Sequence, residues 1–116
     1  MPILHETRFD LEPGKFDAFQ EWLLENEEAL AAAYPDGIEY VGSYANVFGD
    51  PSKGEYKTLL RLDDYAAIDK LTETVAQEGD LSRLLWEMSA FSKDGASSRG
   101  HQSLWKRVTH AVATGD

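Results

Sequence analysis

The stretch ILHETRFDLEPGKFDAF, residues 3–19, contains a change of period that decides the fold. From Ile3 to Leu11 the residues alternate. Ile3, His5, Thr7, Phe9 and Leu11 share one face, and Leu4, Glu6, Arg8 and Asp10 share the other. A period of two is the pattern of a half-buried strand. Pro13-Gly14 ends it, because proline removes a ladder donor and glycine turns freely. The period then lengthens. Phe16, Phe19, Leu23, Leu30 and Ala33 fall on one stripe of a helix expected from about Lys15 to Tyr34, with Glu21, Glu25, Glu27 and Glu28 mostly on its solvated face. Pro35-Asp36-Gly37 stops the helix.

The pattern continues outward from this β-α start. Ile38 to Phe48 reads as a second strand, with Glu39, Val41, Ser43, Ala45 and Val47 on one face and Ile38, Tyr40, Tyr44, Asn46 and Phe48 on the other. Residues 49–54 read as a hairpin loop, and Glu55 to Leu62 as a third strand. In that strand Tyr56, Thr58, Leu60 and Leu62 oppose Lys57, Leu59 and Arg61. Asp63 or Asp64 is placed to cap a helix over Ala66 to Gln77. Gly79 interrupts it, and Asp80 is expected to cap a fresh turn. Leu81, Leu84, Leu85, Met88 and Phe91 then form one apolar face. Residues 93–100 are rich in glycine and serine and read as a mobile loop. The last strand is expected over Gln102 to Ala113.

The order β-α-β-β-α-β predicts an α+β, ferredoxin-like sandwich: a four-stranded antiparallel sheet with two helices on one face. The other face must be polar or covered. The reading places Tyr40, Tyr44, Phe48 and Leu59 on it, which points to a partner, most simply a homodimer formed through the sheet face. Glu6, Arg8, Lys57, Arg61 and Arg107 are expected to form charged ladders there. Such cross-strand pairs contribute only ~0.2–1 kcal/mol each, but they can fix register.

Composition excludes several classes. The 116 residues suit one domain spanning 1–116. Without cysteine there is no disulfide framework, thiolate metal site or cysteine nucleophile. Twenty-one acidic against 11 basic residues, a net charge of −10, argue against nucleic acid and against an anionic membrane. No apolar run approaches the roughly 20 residues of a membrane-spanning helix. Met1 to Glu6 has neither the basic nor the apolar part of a signal peptide, so a cytoplasmic protein is expected. No H-x-x-x-H or H-E-x-x-H pattern, glycine-rich phosphate loop or G-x-S-x-G elbow occurs, so neither a metal nor another cofactor is expected.

Two stretches resemble the NIPSNAP-like branch of the dimeric α/β-barrel superfamily. One is the pattern E-x-R-x-x-x-x-P-G-K-x-x-x-F, met by Glu6, Arg8, Pro13, Gly14, Lys15 and Phe19. The other is GEYKTLLRLDDYAAIDKL, residues 54–71, with Tyr65 entering the second helix. The resemblance implies two sheets packed face to face in a dimer, with ligand sites between each sheet and its own helices. It also implies a range of activities that includes cofactor-independent monooxygenases and haem-degrading enzymes. In the haem-degrading members a histidine of the second helix holds the iron, whereas here no histidine lies between Asp63 and Phe91.

Four residues are the site candidates. His5 lies on the helix-facing side of its strand, where an imidazole can act as a general base, or simply hydrogen-bond to its surroundings. Trp22, Tyr56 and Trp86 are candidates to line a pocket for a small apolar or aromatic ligand, the indoles having core packing as their other role. Two functions follow. One is a cofactor-independent monooxygenase-like enzyme acting on an aromatic or polyketide-like substrate, with His5 as acid/base. The other is a non-catalytic ligand-binding or assembly domain. A cavity holding His5 favours the first, and a space filled by side chains favours the second.

Overall fold

A computed structural model describes residues 3–48, 55–93 and 101–107, the side chain of His101 excepted. Its elements in chain order are β1 (Ile3–Asp10), α1 (Phe16–Ala33), β2 (Ile38–Ala45), β3 (Glu55–Leu62), α2 (Ala66–Ala76), α3 (Asp80–Ser89) and β4 (His101–Lys106). The four strands make one antiparallel sheet in the order β2-β3-β1-β4. This is the expected ferredoxin-like α+β architecture. The second helical unit is two helices, α2 and α3, separated at residues 77–79.

The alternation of β1 and β3 carries into the packing. Ile3, His5, Tyr56, Thr58, Leu60 and Leu62 are all buried. The register places Ile3 opposite Leu62, His5 opposite Leu60 and Phe9 opposite Tyr56. At one end of the sheet, Ile3, Ile38, Leu60, Leu62 and Ala67 form a core against α2. At the other end, Leu11, Phe19, Leu30, Tyr56, Leu81, Leu84 and Met88 close under α1 and α3. Full burial of one such leucine or isoleucine stabilises by about 1.5–3 kcal/mol. The tail of α3 is tied to the end of β1: the Glu12 amide donates to the Phe91 carbonyl at 3.0 Å, and the Lys93 amide to Asp10 at 2.8 Å.

Local signals explain the boundaries. Gly14 and Gly37 both take positive φ, 85° and 89°, in the turns that start α1 and β2, a conformation glycine enters without steric cost. Asp64 Oδ1 accepts the Ala67 amide at 3.1 Å and caps the first turn of α2. Asp80 is the first residue of α3 rather than its cap, and Gly79 precedes it with no side-chain capping bond. The Asp80 carboxylate instead lies 3.9 Å from Arg83. The last strand is described to Lys106, and the expected continuation over Val108 to Ala113, like the loop at 94–100 and the hairpin at 49–54, lies outside the described residues.

Strand β2 corrects the sequence reading. Its alternation breaks between Tyr40 and Gly42, where Val41 has no partner across the strand. A bulge adds one residue and reverses which face every later residue takes. Before it, Ile38 pairs with Leu62 and Tyr40 with Leu60, so both lie on the helix-facing side rather than the open side. After it, Ser43 pairs with Thr58 and Tyr44 with Lys57, so Tyr44 lies on the open face as expected. Asn46 and Phe48 lie beyond the strand, and Phe48 is exposed.

Candidate functional site

Space between sheet and helices is filled largely by aromatic rings. Phe19 of α1 lies 4.5 Å from Tyr56, 6.3 Å from Phe9 and 5.5 Å from Phe91, centroid to centroid. Trp22 stacks on Phe19 at 6.3 Å, and its indole N–H donates to Glu87 of α3 at 3.1 Å. These contacts tie α1 to α3 and to the sheet.

A cleft lies beside this cluster, between α1 and the β2–β3 edge. It has a volume of about 170 Å³ and is lined by Phe16, Phe19, Gln20 and Leu23 of α1, Ser43, Tyr44 and Ala45 of β2, and Tyr56 of β3. Drug-sized ligands occupy pockets of roughly 300–1,000 Å³, whereas an apolar cavity of roughly 150 Å³ suffices for benzene. The cleft therefore suits a single ring better than a fused polyketide.

Its polar residues include Gln20 and Ser43, and Ser43 is one link in a chain of hydroxyls. Tyr40 Oη donates to Glu27 Oε2 at 2.8 Å, Tyr40 and Ser43 are 2.9 Å apart, and Ser43 and Thr58 are 2.9 Å apart. The chain runs from the surface of α1 to the middle of the sheet. The register extends this polar row across all four strands, because Ser43 faces Thr58, Thr58 faces Thr7, and Thr7 faces Gln102. Burial pushes the phenols of Tyr34, Tyr40 and Tyr56 upward, well beyond the usual tyrosine range. For Tyr40 the bond to Ser43 works against that rise, while Glu27 adds to it. All three remain neutral near pH 7.

The four sequence candidates are not brought together. Tyr56 lines the cleft, and its buried hydroxyl has no hydrogen-bond partner among the described residues. Trp22 stands behind Phe19 rather than in the cleft wall. Trp86 is 61% exposed on α3 and takes no part in the cleft. His5 is buried on the helix-facing side, as its alternation implies, but among different neighbours: Leu60 on β3 and Leu104 on β4 stand opposite it. Its Nε2 lies 3.3 Å from Gln102 Oε1, and its buried Nδ1 has no hydrogen-bond partner among the described residues. These two buried polar atoms, the Tyr56 hydroxyl and His5 Nδ1, flank the polar row.

Ser43, Phe16, Gln20 and the Tyr40–Glu27 pair were missed from the sequence. One signal was available: Gly42 inside a strand pattern marks a bulge, and the bulge puts Tyr40 and Ser43 on the same side. Among the described residues, no group of three histidine, aspartate or glutamate side chains is arranged to hold a metal ion. No helix among them is long and apolar enough to cross a membrane.

No protein-family model matches the chain, and no curated protein does. Solved structures do. A NIPSNAP family protein from Agrobacterium tumefaciens superposes with a TM-score of 0.69 at 11% identity, over 91% of this chain and 85% of that one. The fold is that of the NIPSNAP-family structures. A dimeric ferredoxin-like protein of unknown function from Thermobifida fusca matches at TM-score 0.63 and 13% identity, over 92% of each chain. SnoaB, a cofactor-independent oxygenase from Streptomyces nogalater, matches at TM-score 0.57 and 16% identity, over 93% of this chain and 94% of that one. At such identities the NIPSNAP and ferredoxin-like likeness is one of fold, and function has to be argued from the site.

Proposed function

We propose that the protein binds a small, single-ring aromatic or apolar molecule in the cleft between α1 and the β2–β3 edge, and that it does so as a homodimer. The carrying observation is the cleft itself: about 170 Å³, walled by Phe16, Phe19, Leu23, Ala45 and Tyr56, with Ser43 and Gln20 as polar points. A few polar groups in an apolar wall is the usual make-up of a small-molecule site. Toluene is a suitable probe. Titration followed at the blue edge of tryptophan emission, where half-buried Trp22 beside Phe19 contributes most, should give a saturable change. The cleft-filling variant Ala45→Leu should abolish it. A wild-type response that never saturates would defeat the reading.

The dimer rests on the open face of the sheet. Leu4, Tyr44 and Trp105 are exposed there, and the T. fusca neighbour is described as dimeric. A second sheet laid on this face would cover them. Light scattering should give twice the chain mass at micromolar concentration, and a monomer would remove the barrel from the proposal.

A catalytic reading, oxygenation of an aromatic or polyketide-like substrate with His5 as acid/base, draws its support from the likeness to the S. nogalater oxygenase. The separation of His5 from the cleft favours binding without chemistry at His5. Oxygen uptake with aromatic substrates, abolished by His5→Ala, would reverse that preference.

A further inference from the structure

The hydroxyl chain behind the cleft has a direction, and the direction specifies a ligand. An ionised carboxylate only accepts hydrogen bonds. Tyr40 has a single hydroxyl proton, and Glu27 at 2.8 Å takes it. The 2.9 Å contact between Tyr40 and Ser43 must then be donated by Ser43, whose own proton is thereby used. The 2.9 Å contact between Ser43 and Thr58 must in turn be donated by Thr58. All three hydroxyl protons point toward Glu27. Ser43, one of the residues that line the cleft, has no hydroxyl proton left to offer, and its Oγ keeps one lone pair. Each bond in such a chain polarises the next, which makes that lone pair a better acceptor than an isolated serine would supply.

We propose that Ser43 selects single-ring ligands that carry a hydrogen-bond donor, a phenol or an aryl amine, over rings that carry only an acceptor. The inference rests on the cleft being a ligand site, and it names the class that site prefers. A phenolic O–H directed at Ser43 supplies its third hydrogen bond. An ether oxygen in the same place meets a lone pair instead and gains no bond from Ser43, whereas the Gln20 carboxamide, which both donates and accepts, does not discriminate between the two.

The test compares phenol, anisole and toluene by chemical-shift titration of the ¹⁵N-labelled full chain, in wild type, Ser43→Ala and Glu27→Gln. Wild type should bind phenol roughly three- to tenfold more tightly than anisole, the equivalent of one net hydrogen bond. Ser43→Ala should bring the ratio close to one. Glu27→Gln should shrink it, because a carboxamide can donate to Tyr40 and let the chain run in reverse. Glu27 lies on the exposed face of its helix, so this variant probes direction without disturbing the core. Equal wild-type affinities for phenol and anisole, or a preference that survives Ser43→Ala, would overturn the assignment. If toluene still binds in that case, the cleft reading stands and only the selectivity falls. If none of the three probes binds, both fall together.

Discussion

The two faces of the sheet handle polar groups in opposite ways. On the helix-covered face, Ile3, Leu60 and Leu62 pack against apolar neighbours, and the polar row of Ser43, Thr58, Thr7 and Gln102 is threaded between the two cores. On the open face the most buried side chain is a charge. Glu6 is 6% exposed, with the Trp105 indole N–H donating to it at 2.7 Å and Arg8 and Lys57 each 3.6 Å away. Leu4, Tyr44 and Trp105 around it remain open. The covered face is stabilised by apolar area, with hydroxyls satisfying one another. The open face is organised around a single carboxylate, which orders a surface that one chain does not itself cover. Glu6 and Arg8 do stand on the side opposite the helices, as their alternation implies.

The comparison breaks most easily at Leu62. It is fully buried, so Leu62→Ala should lower the unfolding free energy by about 2–5 kcal/mol in urea, whereas Leu4→Ala, beside it on the other face, should cost well under half of that in a monomeric background. Equal losses would mean that both faces are equally covered. Glu6→Ala should come next, at about 1–3 kcal/mol, since it strands an indole donor and two cations on a partly covered surface. A loss below about 0.5 kcal/mol would reduce the cluster to ordinary surface charge.

Alkaline titration sharpens the covered side. The phenols of Tyr34, Tyr40 and Tyr56 are raised in the fold above the value of about 10 they have when unfolded. Their contribution is fully present below about pH 10 and is lost as the pH climbs toward their folded values. Denaturation midpoints should fall as pH rises above 10, and phenolate absorbance from these three should appear only with unfolding. Phenolate absorbance from all five tyrosines in a chain still folded would contradict their burial. The smallest effect belongs to Trp86. With most of its surface in solvent, Trp86→Ala should change stability by no more than about 0.5 kcal/mol and leave toluene binding intact.

Most of this architecture is legible in local pattern. The strand β3 has the bounds its alternation gives, and α1 lies within a residue of those set by Pro13-Gly14 and Pro35-Asp36-Gly37. Helix-facing and open sides of β1 follow directly from period two. The phase of β2 has a single local signal, Gly42 inside the strand pattern, because the unpaired Val41 inverts half the strand while leaving the composition of both faces plausible. The site suffered from the same step. Tyr40 and Ser43 lie three positions apart, which continuous alternation assigns to opposite faces, so their hydrogen bond was invisible until the bulge was seen. Trp22 and Trp86 are large apolar residues in the sequence, but residue type alone does not say whether an indole packs against Phe19 or stands in solvent. Tyr56 was placed correctly by alternation, since its strand has no bulge.

The most direct measurement is a ¹H–¹⁵N chemical-shift map of the full chain titrated with toluene. Shifts that saturate and concentrate at Phe16, Phe19, Gln20, Leu23, Ser43, Ala45 and Tyr56 are the predicted result. Shifts that fail to saturate, or that gather around Leu4, Glu6 and Trp105 on the open face, would contradict the assignment of the cleft as the binding site.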